Sequence, residues 1–271
     1  MVTQDEPGAP PGINTKVASP ARVYDYWLGG KDNYAADRAA GEAMKEAFPG
    51  IVVGVRMNRA FLGRAVTYLA AEAGVRQFLD IGTGLPTADN THEVAQRAAP
   101  ESRIVYVDND PVVLLHAAAL MKSTPEGACD YIQADLREPQ KIIDGAARTL
   151  DYTRPVAVSL LQILQFMPDA SDPWGLVGTV MDAMPSGSYL VISTTTRDVI
   201  ANTITKAADR YNRHMGDNQA ILRTREEILR FFDGLELVEP GLVELQQWRP
   251  APGVQNPGGQ MPALAGAGRK P

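Results

Sequence analysis

Three aspartates near the ends of apolar runs are the residues of this sequence best placed to do chemistry together. Asp80 sits just before Gly82-Thr83-Gly84, Asp108 closes Val105-Tyr106-Val107-Asp108, and Asp135 closes Ile132-Gln133-Ala134-Asp135. If the runs are neighbouring strands of one sheet, the carboxylate ending the second can accept hydrogen bonds from both hydroxyls of a ribose. The one ending the third can accept the exocyclic amine of an adenine, and the pair suits an adenosine without a phosphate. The glycines let the chain turn sharply and let a ligand approach with no Cβ in the way. Alone, each aspartate reads equally well as a helix cap or a solvated loop residue, and Gly-x-Gly as an ordinary loop. Their common placement at strand ends is what makes them a site.

The elements that must position these residues follow from hydrophobic period and punctuation. Strands are expected over 75–81, 104–107, 131–134, 156–161 and 189–194, with helices between them over 91–99, 111–121, 140–150 and 173–184. The run at 156–161 is apolar throughout, as a strand buried on both faces should be. Asn90 with Glu93, and Thr224 with Glu227, are capping boxes. A helix over 197–214 follows, then strand signals at 235–238 and 243–248, a Pro/Gly-rich loop at 250–262 and a last strand near 264–269. Ahead of the first strand lie only helices. Ser19-Pro20 starts one that Gly29-Gly30 stops, and two more run over 35–48 and 55–73. The reading is α/β, a doubly wound, mostly parallel, seven-stranded sheet with an N-terminal helical extension. Residues 1–18 form a disordered lead, 19–74 a helical lid or cover, and 75–271 the ligand-binding domain.

At 271 residues, 45% hydrophobic and 21% charged, the chain has an ordinary soluble composition. A net charge of −6 argues against nucleic acid as the main partner; a local basic patch stays open, but no Lys/Arg run appears in the sequence. The single Cys129 excludes a disulfide framework and any multi-cysteine metal site, and no His/Cys/carboxylate cluster has ligand spacing, so no metal is expected. The uncharged run from Pro155 to Pro168 is too short for a membrane helix, and no signal-peptide pattern opens the chain. A cytoplasmic protein is expected.

Asp80-Ile81-Gly82-Thr83-Gly84, Asp108 and Ala134-Asp135-Leu136 resemble the cofactor motifs of class I S-adenosylmethionine-dependent methyltransferases. The resemblance is closer still to an actinomycete subfamily long filed as a domain of unknown function. It is carried by Ala21-Arg22-Val23-Tyr24-Asp25-Tyr26-Trp27-Leu28-Gly29-Gly30, Arg56-Met57-Asn58-Arg59-Ala60-Phe61-Leu62, Asn90-Thr91-His92-Glu93 and Val107-Asp108-Asn109-Asp110-Pro111. It covers the chain from Ser19 and implies a Rossmann-like fold and S-adenosylmethionine as cofactor, with S-adenosylhomocysteine as product. The implied cofactor set is Asp80, Gly82, Thr83, Gly84, Asp108, Asn109, Asp135, Leu136, Leu161 and Gln162. Tyr26, Asn58 and Arg59 join it from the N-terminal segment, where Arg59 suits the methionine carboxylate. Two departures concern catalysis. Relatives often carry histidine at the place of Gln165 and after the serine of Ser193-Thr194-Thr195, and this sequence has neither.

Methyl transfer needs no metal and no covalent intermediate, and a base only for a poorly acidic hydroxyl. His92, in the first turn of the helix after the glycine loop, is the candidate base; the alternative is a structural role near the loop. The acceptor is expected to be a small molecule, methylated on oxygen or nitrogen. Two rivals stand beside this reading. One is a binding-only protein that senses S-adenosylmethionine. The other is a nicotinamide-dependent oxidoreductase, against which Thr87 breaks Gly-x-Gly-x-x-Gly.

Overall fold

The structure is a computed structural model that describes residues 13–120, 122–251, 253 and 260–271. Three helices come first: α1 (Pro20–Leu28), α2 (Ala35–Ala47) and α3 (Ile51–Thr67). Proline at its first position opens α1, and Gly29, at a left-handed φ of 85°, closes it. α3 starts four residues earlier than its period suggested and runs on into a π turn at Tyr68–Glu72.

The alternation then begins: β1 (Gln77–Ile81), α4 (Thr91–Ala98), β2 (Arg103–Asp108), α5 (Pro111–Leu120), β3 (Ala128–Gln133), α6 (Pro139–Ala146), β4 (Ala157–Leu161), α7 (Pro173–Asp182) and β5 (Tyr189–Thr195). α8 (Ala201–Asn212) and the short α9 (Arg225–Leu229) lead to β6 (Glu236–Leu237), β7 (Val243–Glu244) and β8 (Ala263–Arg269). Strand order is β3-β2-β1-β4-β5-β8-β6, with β7 also paired to β8. β1 to β5 are parallel, and β8 is antiparallel to β5. The order reverses between β1 and β4, which is where a sheet of this kind opens a crevice at its carboxyl ends.

Among the described residues the sheet has eight strands where seven were expected. β6 pairs with the Gly268–Arg269 end of β8 and β7 with its Leu264–Ala265 end, so both fill one interrupted position on the same edge. The strand signals at 235–238 and 243–248 are therefore two short pieces. The last strand lies inside the sheet, and its Gly266 and Gly268 explain how. A Cβ at Gly266 would sit 3.4 Å from the Gly241 carbonyl, and one at Gly268 would sit 2.8 Å from Phe232.

Two apolar clusters flank the sheet. One joins β1, β2 and β5 to α2, α3, α4 and α8 through residues such as Phe61, Leu69, Phe78 and Trp248. The other places α6, α7 and α9 against Leu79, Val107, Leu160 and Ile192. The disordered lead expected over 1–18 is corrected for the part described. Ile13 is 5% exposed and packs with Leu85, Val112 and Val113, while Thr15 and Ala18 are also buried; residues 1–12 lie outside the described residues. Among the described residues no helix is long and apolar enough to cross a membrane.

Candidate active site

A cavity of about 730 Å³ opens at the carboxyl ends of β1 to β5 and is roofed by α1, α3, α8 and the segment 13–19. Its floor is the loop after β1. Gly82 and Thr83 donate to the Val107 carbonyl at 2.8 and 3.2 Å, which ties the loop to β2. Gly82 and Gly84 hold φ of 73° and 67°, left-handed values that favour glycine. A Cβ at Gly82 would run into Ile163, whereas Gly84 faces open space.

Asp108 organises this floor. Its Oδ2 accepts the Gly84 N–H at 2.8 Å and its Oδ1 the Asp110 N–H at 2.9 Å. It is 7% exposed, and among the described residues no cation pairs with it. Burial therefore pushes its carboxyl up to about 6, against the opposing pull of the two amides. Asp80 lines the cavity too, but both its oxygens are occupied, by the hydroxyls of Thr91 at 2.6 Å and Ser159 at 2.7 Å. Burial raises its pKa as well. Asp135 sits beside Leu136 in the cavity wall, where the Arg137 fork grips it at 2.8 and 2.7 Å and Asn109 donates to it at 2.8 Å. Those donors hold its carboxyl down to about 2.

Leu161 and Gln162 close the β4 side of the cavity. Gln162 has a φ of 59°, a conformation non-glycine residues hold at a cost and that concentrates at functional sites. Its Oε1 accepts from Gln165 Nε2 at 3.1 Å and Thr195 Oγ1 at 3.2 Å, while its buried Nε2 has no partner among the described residues.

The N-terminal segment brings Asn58 and Arg59 to the cavity, but not Tyr26. Tyr26 faces α2, where its hydroxyl pairs with Glu42 and its ring covers Gly41. Its neighbour by two, Tyr24, lines the cavity instead, donating to the Val55 carbonyl and receiving Asn58 Nδ2, both at 3.0 Å. Asn58 Oδ1 in turn accepts from Ser193 at 2.6 Å, so its amide joins α1, α3 and β5. Arg59 Nη2 donates to the Ala88 and Asp89 carbonyls at 3.0 and 2.8 Å.

His92 is the second correction. It is 3% exposed and absent from the cavity wall; both its N–H and its ring Nδ1 meet the Tyr106 hydroxyl, at 2.7 and 2.8 Å. Its neighbour Thr91 turns to Asp80, and His92, about 100° further round the helix, turns into the core between α4 and β2. Burial lowers its pKa, consistent with a neutral structural imidazole. Sequence reasoning missed the Arg22 cluster. This buried guanidinium bonds Asp37 at 2.9 Å, reaches Asp110 at 3.5 Å and takes the Asn14 and Val17 carbonyls, while Ser19 also donates to Asp110. The signal was available as a lone arginine in an aromatic helix.

The family model described as "S-adenosyl methyltransferase" matches residues 6–271. The chain belongs to the S-adenosyl methyltransferase family. It is 45% identical to a DUF574-family protein from Streptomyces avermitilis MA-4680, with a TM-score of 0.89 over 95% of this chain and 99% of that one. It is 41% identical to a candidate methyltransferase from Thermobifida fusca YX, with a TM-score of 0.87 over 97% of this chain and 98% of that one. The plantazolicin methyltransferase BpumL, solved with SAH, shares the fold at 11% identity, with a TM-score of 0.53 over 93% and 96% of the two chains. No curated protein matches the chain.

The family's methyl donor is S-adenosylmethionine, and the site fits it. A buried carboxylate without a cation, beside a glycine whose missing Cβ leaves open space, is suited to a ligand that brings hydroxyl donors and lies close to the backbone.

Proposed function

We propose that this S-adenosyl methyltransferase transfers a methyl group to the oxygen or nitrogen of a small molecule held in the cavity, in the cytoplasm, where a lone Cys129 stays reduced. When bound, S-adenosylmethionine supplies an electrophilic methyl on a positively charged sulfur. The protein's contribution is to bind, align and keep water away. Asp108 accepts the ribose hydroxyls through the lone pairs its amide donors leave unused, and Asp135 with Leu136 addresses the adenine. Arg59 spends Nη2 on two carbonyls, and its Nε and Nη1 donors serve the methionine carboxylate. Asn58 fixes Tyr24 in the roof, so its role is positioning. Residues 19–74, with Tyr24 and Trp27, act as the cover that seals the reacting groups.

The observation that carries this reading is the burial of Asp108, with no paired cation among the described residues, in a cavity roofed on several sides, which suits a small ligand more than a polymer. The test is to incubate the protein with methyl-labelled S-adenosylmethionine and a lysate of Streptomyces avermitilis, which holds a 45%-identical relative. Label should pass to the low-mass fraction. Label found only on protein or nucleic acid would overturn the small-molecule assignment.

A further inference from the structure

Asp135, the carboxylate set to meet the adenine, has no acceptor site left to offer it. Its Oδ1 accepts the Arg137 backbone N–H at 2.9 Å and Arg137 Nε–H at 2.8 Å. Its Oδ2 accepts Arg137 Nη2–H at 2.7 Å and Asn109 Nδ2–H at 2.8 Å. An ionised carboxylate has about four lone-pair sites, so these donors use all of them. Asp108 keeps lone pairs for the ribose; Asp135 keeps none for an amine. Arg137, by contrast, has donors to spare. The fork uses Nε–H and one Nη2 hydrogen, which leaves the second Nη2 hydrogen and both on Nη1, along the edge the carboxylate does not cover. The residue lines the cavity, and its side chain is 57% exposed against 18% for Asp135. What this pair presents to a ligand is therefore more guanidinium than carboxylate.

We propose that Arg137 sets which feature of the purine this protein reads: it fills Asp135, turns its own spare donors to the ring nitrogens, and leaves the 6-amino group unrecognised. The proposal rests on the methyltransferase reading above, with the adenine against Asp135 and Leu136. For the amine to reach Asp135, one arm of the fork has to open. That exchange gives up a bond from a cation, and the parallel geometry with it, for one bond from a neutral amine. Most exposed ion pairs are worth too little to resist such an exchange, but a bidentate arginine–carboxylate pair is the exception. The Arg137 backbone N–H binds the same Oδ1 as Nε, which fixes the carboxylate from a second direction. A base that settles on the pair also excludes water from it and strengthens it. The purine ring nitrogens are acceptors, and donors are what the subsite offers them.

The test is calorimetric titration of the full chain with S-adenosylhomocysteine and with its 6-desamino analogue, in which purine replaces adenine and every ring nitrogen is kept. Wild-type protein should bind the two within about threefold of each other, less than half the free energy of one hydrogen bond to a charged group. Arg137→Met removes the fork at an exposed position and opens two lone-pair sites on Asp135. The variant should prefer S-adenosylhomocysteine about tenfold or more, because the amine now reaches the carboxylate. It should also bind the desamino analogue about 2- to 10-fold more weakly than wild type does, through the lost donor to the ring. A larger wild-type preference would mean that Arg137 yields to the amine. A preference below about tenfold in the variant would mean that Asp135 does not face the amine, and equal binding of the desamino analogue that Arg137 gives the ring nothing. Any of the three would overturn the proposal and leave the methyltransferase reading standing. Failure of the wild-type protein to bind S-adenosylhomocysteine at all would instead sink both.

Discussion

Lowering the pH from 7 to 5 should weaken binding of S-adenosylhomocysteine about tenfold, through Asp108. Burial without a cation pushes this carboxyl up to about 6 in the free protein. Ribose hydroxyls donating to the charged form would pull it back down, so the ligand selects the deprotonated carboxylate. At pH 5 about nine-tenths of the free protein carries the proton and must release it before binding; at pH 7 about one-tenth does, which gives the tenfold ratio, or about 1.4 kcal/mol. The sign in the free protein is opposite. A carboxyl raised on folding binds more protons folded than unfolded. Asp108 therefore costs stability as pH rises from its ordinary 3.8 through about 6, by about 3 kcal/mol in all. The ligand's α-amino and α-carboxyl groups titrate outside the pH 5–7 window, near 8 and 3.5. Among neighbouring carboxylates, Asp135 is held near 2 and stays charged, while Asp80, raised by burial, is the competing candidate. Calorimetry at pH 5, 6 and 7, in buffers of differing ionisation enthalpy, should show proton release at the lowest pH. Asp108→Asn should bind more weakly at pH 7 and lose the pH dependence. A flat profile in the wild type, or a slope that persists in Asp108→Asn, would refute the assignment.

Two further outcomes follow from the corrected positions. His92→Ala should lower stability by about 1–3 kcal/mol, the penalty for a buried polar group left unpaired at Tyr106, and leave kcat unchanged; thermal melts and initial rates check this, and a collapse in kcat without loss of stability would restore its catalytic role. Truncation before Ile13 and truncation through Ala18 should differ, because only the second strips Arg22 of the Asn14 and Val17 carbonyls, each a charge-assisted bond of about 1.5–3 kcal/mol; equal stability and equal S-adenosylhomocysteine affinity in the two would show that residues 13–18 are dispensable.

The strand ends were legible because two signals coincide there, an apolar run with a period of its own and a glycine or aspartate where the run stops. Asp108 and the loop at Gly82 to Gly84 accordingly stand in the cavity. Direction on a helix was not legible where both faces are covered. α1 has α2 on one side and the cavity on the other, so aromatic residues two apart, Tyr24 and Tyr26, looked alike and face apart. His92 failed for the same reason: its place on α4 was right, but its partner, the Tyr106 hydroxyl, lies inside a run that reads as plain apolar strand. The lead looked disordered on composition, yet its described end is packed: Ile13 fills a pocket among Leu85, Val112 and Val113 that other elements form, and Ala18 is buried in the larger cluster on α2 and α3. In β8, alanine and glycine give a weak strand signal, although small residues are what the close approach of 232–242 requires.

The Arg22 cluster has an evolutionary consequence. Arg22, Asp37 and Asp110 are all buried, and removing one member of such a set leaves a charge of the opposite kind stranded, at a cost of several kcal/mol. Single replacements at these three positions should therefore be purged, while paired or triple replacements by apolar residues are permitted. Asp110 also follows Asp108 by two residues and donates its own N–H to it. Drift in the roof of the cavity is thus constrained by selection on its floor, and descendants that remodel α1 must first find a way past position 110.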